Sequence, residues 1–332
     1  MSLDAADTAG LHARGVSVSY RTNDGLLSVV RDIDLSVLPG DSIGIVGESG
    51  SGKSTLALAL AGLLRRDEAE ITADQLSFDG EDIRDMKNSL RVRILGRRIA
   101  FVFQNPHVAL NPVLTIGRQL TDHLRWHKQL GSRAAKVEAI RLLEEVGIPD
   151  ASSRLDGYPH EYSGGMLQRA TIAMALACDP DLLIADEPTT ALDASVQADI
   201  VELVERIRKA RRLSLVWITH DLALLRQIVE VVAVMYAGRL VEIGPSTQIY
   251  ENPRHPYTRA LLDTVRGLWS DTGEAFRTIE GQPPSSRELP GGCAFRARCP
   301  RADARCTSVP PITHTASDQR VACWNPCEAA AT

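Results

Sequence analysis

Short apolar runs bounded by loops alternate with helical patterns along this chain. The run "DSIGIV" predicts a buried strand, and "KSTLALALAGLL", following a glycine-rich loop, predicts a helix. A second run, Leu182 to Ala185, ends at Asp186 and Glu187, and a third, "SLVWIT", delivers His220 and Asp221 just past its end. Between them, Ser132 is placed to cap a helix that carries Ala139, Leu142, Leu143 and Val146 on one face, with Gly147 and Pro149 ending it. Downstream, "AVMYAGRLVEIG" predicts a β-hairpin through Ala237-Gly238, and "SFDGEDI" a turn in a small β part. The longest apolar stretch, "LALALAGLL", is too short to span a bilayer.

Chemistry enters with "GIVGESGSGKST", where Gly47, Gly52, Lys53 and Ser54 fit G-x-x-x-x-G-K-[ST]. Glycines let a loop wrap closely around phosphates with its N–H groups pointing inward. Lys53 neutralises β/γ oxygens in such a loop and the Ser54 hydroxyl ligates Mg²⁺; Ser49, Gly50, Ser51 and Thr55 complete the candidate ATP contacts. The strand before the loop and the helix after it supply the required context, because a helix N-terminus favours an anion. The metal then needs a carboxylate. Asp186 is the candidate ligand and Glu187, one residue later, the candidate general base. Many strands end in solvated acids, so this pair acquires meaning only beside the phosphate loop.

The stretch "EYSGGMLQR" decides the family. Tyr162-Ser163-Gly164-Gly165-Met166 resembles the signature motif of ABC ATPases, and Ser163 stands 23 residues before Asp186, in the usual order. By the same resemblance Tyr20 stacks on adenine, Gln104 in "FVFQNP" is the Q-loop glutamine and a further Mg²⁺ contact, Asp193 is the D-loop aspartate, and His220 is the switch histidine. The fold implied is α/β: a P-loop NTPase of ABC ATPase type with a β subdomain, an inserted helical subdomain (about 105–175) and a small irregular cysteine-bearing extension. The boundaries expected are a loose leader at 1–13, a nucleotide-binding domain at 14–255 and an extension at 256–332. Two such domains meet head to tail in this family, so Ser163, Gly164 and Gly165 are expected to act in trans on the partner's nucleotide. Met166 and Tyr162 depart from the commonest signature, which begins with Leu and ends with Gln, and match instead the form found in peptide permeases.

That subgroup is supported by "HPYTRALL", the "GQPP" turn and the tail, which together resemble oligopeptide/dipeptide permease ATP-binding subunits. The resemblance implies an importer ATPase at the cytoplasmic face of the cell (inner) membrane. Its implied partners are a second, non-identical ATPase subunit, two membrane permeases and an extracytoplasmic substrate-binding protein. Importers of the same subgroup carry nickel or glutathione. A non-transport ABC ATPase acting on nucleic acid or ribosomes is a further alternative, and a regulatory nucleotide binder without turnover is opposed by the intact Glu187 and His220.

Composition fits this picture. With 332 residues, 44% of them hydrophobic, and a net charge of −5, the chain has ample core and no general electrostatic attraction to nucleic acid. The basic cluster "RIRKARR" ends an amphipathic helix, where it complements the dipole. The start has no signal-peptide pattern, so a cytosolic site with reduced thiols is expected. Six cysteines are present: Cys178, placed in the core, and five between residues 293 and 327. Cys293, Cys299, Cys306 and Cys323 follow C-x5-C-x6-C-x16-C in a Pro-rich tail, which suits a metal centre replacing a missing core. Zinc prefers tighter knuckles, whereas iron–sulfur clusters accept wider spacings. The resemblance implies a 4Fe-4S cluster, with zinc, unligated thiols or disulfides as alternatives and Cys327 as a spare.

Overall fold

A computed structural model describes residues 8–190, 192–269, 279–315 and 318–328. They fall into two compact units, one from 8–37, 42–84 and 219–328, the other from 38–41 and 85–218.

In the first unit, strand Leu11–Thr22 pairs antiparallel with Gly25–Val37 on one side and with Ala69–Thr72 and Gln75–Phe78 on the other. Leu11 and Ala13 are buried in this sheet, so the strand begins inside the segment expected to be a leader; residues 1–7 of that leader lie outside the described residues. A second ladder is built on Ser42–Val46, every residue of which is buried. It pairs in parallel with Val231–Tyr236, which turns through the expected hairpin into Arg239–Pro245. The expected irregular tail adds two short strands here: Arg320–Ala322 pairs with Arg239–Pro245, and Ile312–His314 pairs with Arg320–Ala322. The extension therefore packs within the first unit and is not a separate body. Glu242, fully buried on the hairpin strand, accepts the N–H groups of Arg254 (2.7 Å) and His255 (2.9 Å), fixing the chain as it enters helix Pro256–Trp269.

The second unit holds three parallel strands, Ile99–Val102, Leu182–Asp186 and Ser214–Thr219, in that order. Parallel neighbours need a crossover. Helix Ala194–Arg211 provides the one between the last two. Helices Ile116–His127, Ser132–Glu145 and Gly164–Leu176 make the expected helical insertion. The cap differs from expectation: Gly131 takes the N-cap position and Ser132 is the first helical residue. The basic cluster is largely engaged in ion pairs. Arg211 reaches both carboxylate oxygens of Glu145 (2.7 and 2.6 Å) and Asp179 (2.9 Å), and Arg208 pairs with Glu205 at 2.8 Å. Cys178 is buried, as its place in the core requires, and burial pushes its thiol up to about 11.

Leu215 is fully buried in the Ser214–Thr219 strand. Leu215→Ala should destabilise the chain by about 2–5 kcal/mol, since a core of this density relaxes only partly around a cavity. The check is a lowered urea midpoint at unchanged slope.

Candidate active site

The phosphate loop joins the Ser42–Val46 strand to helix Lys53–Leu60. Its path is dictated by close packing. A Cβ on Gly47 would collide with the Met235 carbonyl, so no other residue fits there. Gly50 (φ 77°) and Gly52 (φ 99°) occupy left-handed backbone, which glycine adopts without cost. The loop is pinned to the hairpin turn by the Gly238 N–H, which donates to the Ser51 carbonyl at 2.9 Å.

Lys53 is buried, and its Nζ donates to the carbonyls of Gly47 (2.9 Å) and Glu48 (3.0 Å). The ammonium is thus held over the loop by two of its main-chain carbonyls. The Ser51 hydroxyl is buried without a hydrogen-bond partner. Ser49, Gly50 and Ser54 are exposed, and Thr55 shares a 3.3 Å hydrogen bond with the Tyr20 hydroxyl. The structure therefore brings Tyr20 to the loop. His220, exposed, directly follows the Ser214–Thr219 strand, and Asp221 caps the next helix by accepting the Ala223 N–H at 2.7 Å.

In the second unit, Asp186 is buried as the last residue of its strand. Glu187 follows in left-handed backbone (φ 44°), its N–H donating to the Ile218 carbonyl at 2.9 Å. Thr190 Oγ1 (2.8 Å) and Gln104 Nε2 (3.3 Å) both donate to Glu187 Oε2. Gln104 and Glu187, 83 residues apart, are thereby brought together, and Thr190 is a contact that the motif reading did not include.

Ser163 caps helix Gly164–Leu176 by accepting the Met166 N–H at 3.3 Å. Ser163 and Gly164 are exposed, presenting this 13-residue helix's positive end outward. Gly165 is required by packing, since a Cβ there would lie 2.7 Å from Val196 Cγ1. Tyr162 is explained by its own contacts: it is buried, and its hydroxyl donates to the Arg154 carbonyl at 2.7 Å. Asp193 is exposed before helix Ala194–Arg211, and the segment ahead of it is held by Gln197 Nε2, which donates to the carbonyls of Thr189 (2.9 Å) and Leu192 (3.0 Å).

The family described as "ABC transporter" matches residues 30–190, and that described as "Oligopeptide/dipeptide transporter, C-terminal region" matches residues 241–306. The chain is 43% identical to the Dipeptide transport ATP-binding protein DppD of Bacillus subtilis, covering 95% of this chain and 94% of that one. This chain belongs to the ABC transporter ATP-binding family. It is also 41% identical to the Oligopeptide transport ATP-binding protein OppD of Escherichia coli, over 96% of this chain and 94% of that one. Among solved structures, the ATP-binding cassette MJ0796, a dimer bound to ADP and Pi, matches at a TM-score of 0.62 and 25% identity, covering 71% of this chain and 98% of its own. The family binds and hydrolyses ATP, so this chain is an ATPase with the ABC cassette fold. No helix among the described residues is long and apolar enough to cross a membrane.

The tail cysteines are all free thiols. Burial pushes Cys323 up to about 12, and Cys299, Cys293 and Cys306 add to the shift, so these thiols are near neighbours. Among the described residues, however, no group of three or more His, Cys, Asp or Glu side chains is gathered for a metal ion. The expected zinc or cluster ligand set is therefore not formed as a converged site in this structure.

Replacing Gly47 by Ala should force the loop away from Met235 and reduce MgATP affinity by at least about tenfold, a loss of roughly 1.4 kcal/mol. Titration with a fluorescent ATP analogue measures it directly.

Proposed function

We propose that this chain powers the import of di- or oligopeptides, at the cytoplasmic face of the inner membrane, with a second ATPase subunit, two membrane permeases and an extracytoplasmic binding protein. The observation that carries this reading is the conjunction of a complete set of ATP motifs with a C-terminal region matched to the oligopeptide/dipeptide transporters. Relatives named for dipeptide and oligopeptide transport align over nearly the whole chain. A surface suited to permeases adjoins Gln104: Phe103, Val108, Val113 and Leu114 are large, apolar and exposed, Val108 at 76%. Apolar side chains exposed together favour a protein partner.

Each residue's task follows from its setting. Lys53 leaves the carbonyls of Gly47 and Glu48 for the β/γ oxygens, and the N–H groups of residues 49–55 line the phosphates. Ser54, Asp186 and Gln104 would hold Mg²⁺, which offsets the charge of the phosphates. Glu187 takes a proton from the attacking water. The two donors on its Oε2 fix the rotation of the carboxylate, an orienting role in general-base catalysis. His220 steadies the γ-phosphate, and Tyr20 stacks on adenine. Ser163 and Gly164, exposed at a helix N-terminus, and Gly165 behind them serve the γ-phosphate of the partner subunit's nucleotide, with Asp193 beside them at the subunit junction.

The tail is proposed to take a 4Fe-4S cluster on Cys293, Cys299, Cys306 and Cys323. Supporting this are four free thiols, of which Cys293, Cys299 and Cys306 lie near enough to Cys323 to add to the upward shift of its pKa. When bound, the cluster would cross-link a segment that has few buried side chains of its own.

In the assembled importer, Glu187→Gln should retain MgATP binding while ATPase activity and labelled-peptide uptake fall roughly 10²–10⁴-fold. The partner ATPase's matching glutamate is removed in parallel, so that its turnover is not counted. Unaltered hydrolysis would refute the general base; uptake of nickel or glutathione without peptide would refute the cargo. Separately, anaerobically purified protein should be brown and contain about four irons per chain. Colourless protein with stoichiometric zinc defeats the cluster.

A further inference from the structure

Arg298 lies between Cys293 and Cys299, in a set of tight turns. Arg296 N–H donates to the Cys293 carbonyl at 3.1 Å, Arg298 N–H to Phe295 at 2.9 Å, and Cys299 N–H to Arg296 at 3.4 Å. The side chain is only 5% exposed. Its guanidinium makes two parallel bonds to Glu48, Nη1 to Oε2 at 2.6 Å and Nη2 to Oε1 at 2.9 Å. The remaining donors are also committed: Nη1 to the Tyr236 hydroxyl (3.2 Å), Nη2 to the Ile279 carbonyl (3.3 Å) and Nε to the Glu280 carbonyl (3.0 Å). All five N–H donors of the fork thus have partners, a geometry that lysine cannot reproduce.

What Arg298 holds is a residue of the phosphate loop. The Glu48 N–H donates to the Tyr257 hydroxyl at 2.8 Å, and the Glu48 carbonyl accepts both Lys53 Nζ (3.0 Å) and the Ser51 N–H (3.2 Å). The loop residue that holds the phosphate-binding lysine is therefore itself held, through its side chain, by the cysteine-bearing tail. A mere anchor for the tail would have no reason to engage this position; any exposed carboxylate on the sheet would serve.

We infer that Arg298 is a positioning residue for the phosphate loop, and that through it the state of the surrounding thiols is coupled to MgATP affinity. When Lys53 moves to the phosphates it gives up the Glu48 carbonyl, and Glu48 keeps its place through Arg298, Tyr257 and the Ser51 N–H. Constraint on Cys293 and Cys299 steadies the turns that carry Arg298, and covalent modification of either thiol by an electrophilic reagent disturbs them. Because coupling between two sites is reciprocal, a group on the thiols that favours MgATP is in turn held more tightly when MgATP is bound, and the same steadied turns should give a reagent less access to the thiols.

Full-length protein is tested by nucleotide titration and by the rate at which its tail cysteines react with a water-soluble thiol reagent. Arg298→Ala and the nearly isosteric Glu48→Gln should each weaken MgATP binding about tenfold, with the double variant no worse than either, because one interaction is being removed twice. Arg298→Lys should recover only part of the loss. In the wild type MgATP should slow thiol modification severalfold, and in Glu48→Gln that protection should vanish while the unfolding midpoint shows the chain still folded. Unchanged nucleotide affinity in folded Glu48→Gln, additive losses in the double variant, or thiol rates indifferent to MgATP in the wild type would each overturn the coupling. None of these readouts depends on transport, so they remain decisive whatever the cargo.

Discussion

The organisation of the first unit depends on a backbone approach that leaves no room for side chains. At Gly47 the phosphate loop lies directly against the Met235 carbonyl, and at Gly238 the hairpin turn lies directly against the Val29 carbonyl. Arg31 closes the junction by donating from Nη2 to the Ala237 carbonyl. Three chain segments therefore meet chiefly through main-chain atoms, with the Arg31 side chain bonded to one of their carbonyls. Backbone groups have no rotamers, so this contact fixes the direction of the loop's N–H groups more rigidly than side-chain packing could. That rigidity is what a site for a polyanion requires, since its donors must be oriented before the charge arrives.

From this junction the remaining parts take their positions by ordinary means. Buried strands end in chemistry-bearing residues: Val46 leads to the loop, and Asp186 closes its own strand. Glu187 is oriented by two neighbours, Thr190 and Gln104, that both donate to its Oε2. Glu242 shows the same economy in the extension, where one buried carboxylate organises the entry to a helix and keeps the tail strand Arg320–Ala322 beside the hairpin.

Much of this was legible in the sequence because it is local. The strand–loop–helix around Gly47, the acids after Leu182–Ala185 and the hairpin through Ala237-Gly238 are each set by fewer than about twenty residues of hydrophobic pattern and turn chemistry. The helix beginning at Ser132 was legible in kind but not in detail, because Gly131 could take the extended cap conformation and Ser132 offered no visible advantage. What the sequence could not disclose were partnerships across the chain. Arg298 meets Glu48 across 250 positions, and neither carries a pattern that names the other. Nor could the spacing of the cysteines determine how closely their thiols converge, since that depends on the turns between them. The two small strands of the tail were hidden for a similar reason: a three-residue strand has no period to detect.

The left-handed backbone at Glu187 has a further consequence. Only glycine occupies φ 44° freely, and a carboxylate-bearing residue there stores strain of the order of 1 kcal/mol. Glycine at this position would relieve the strain and remove the carboxylate at once. Any search that rewards thermal robustness alone would thus drift toward glycine at this very residue. If Glu187 is the base proposed above, selection for turnover has to oppose that drift, and durability and work pull the sequence in opposite directions there.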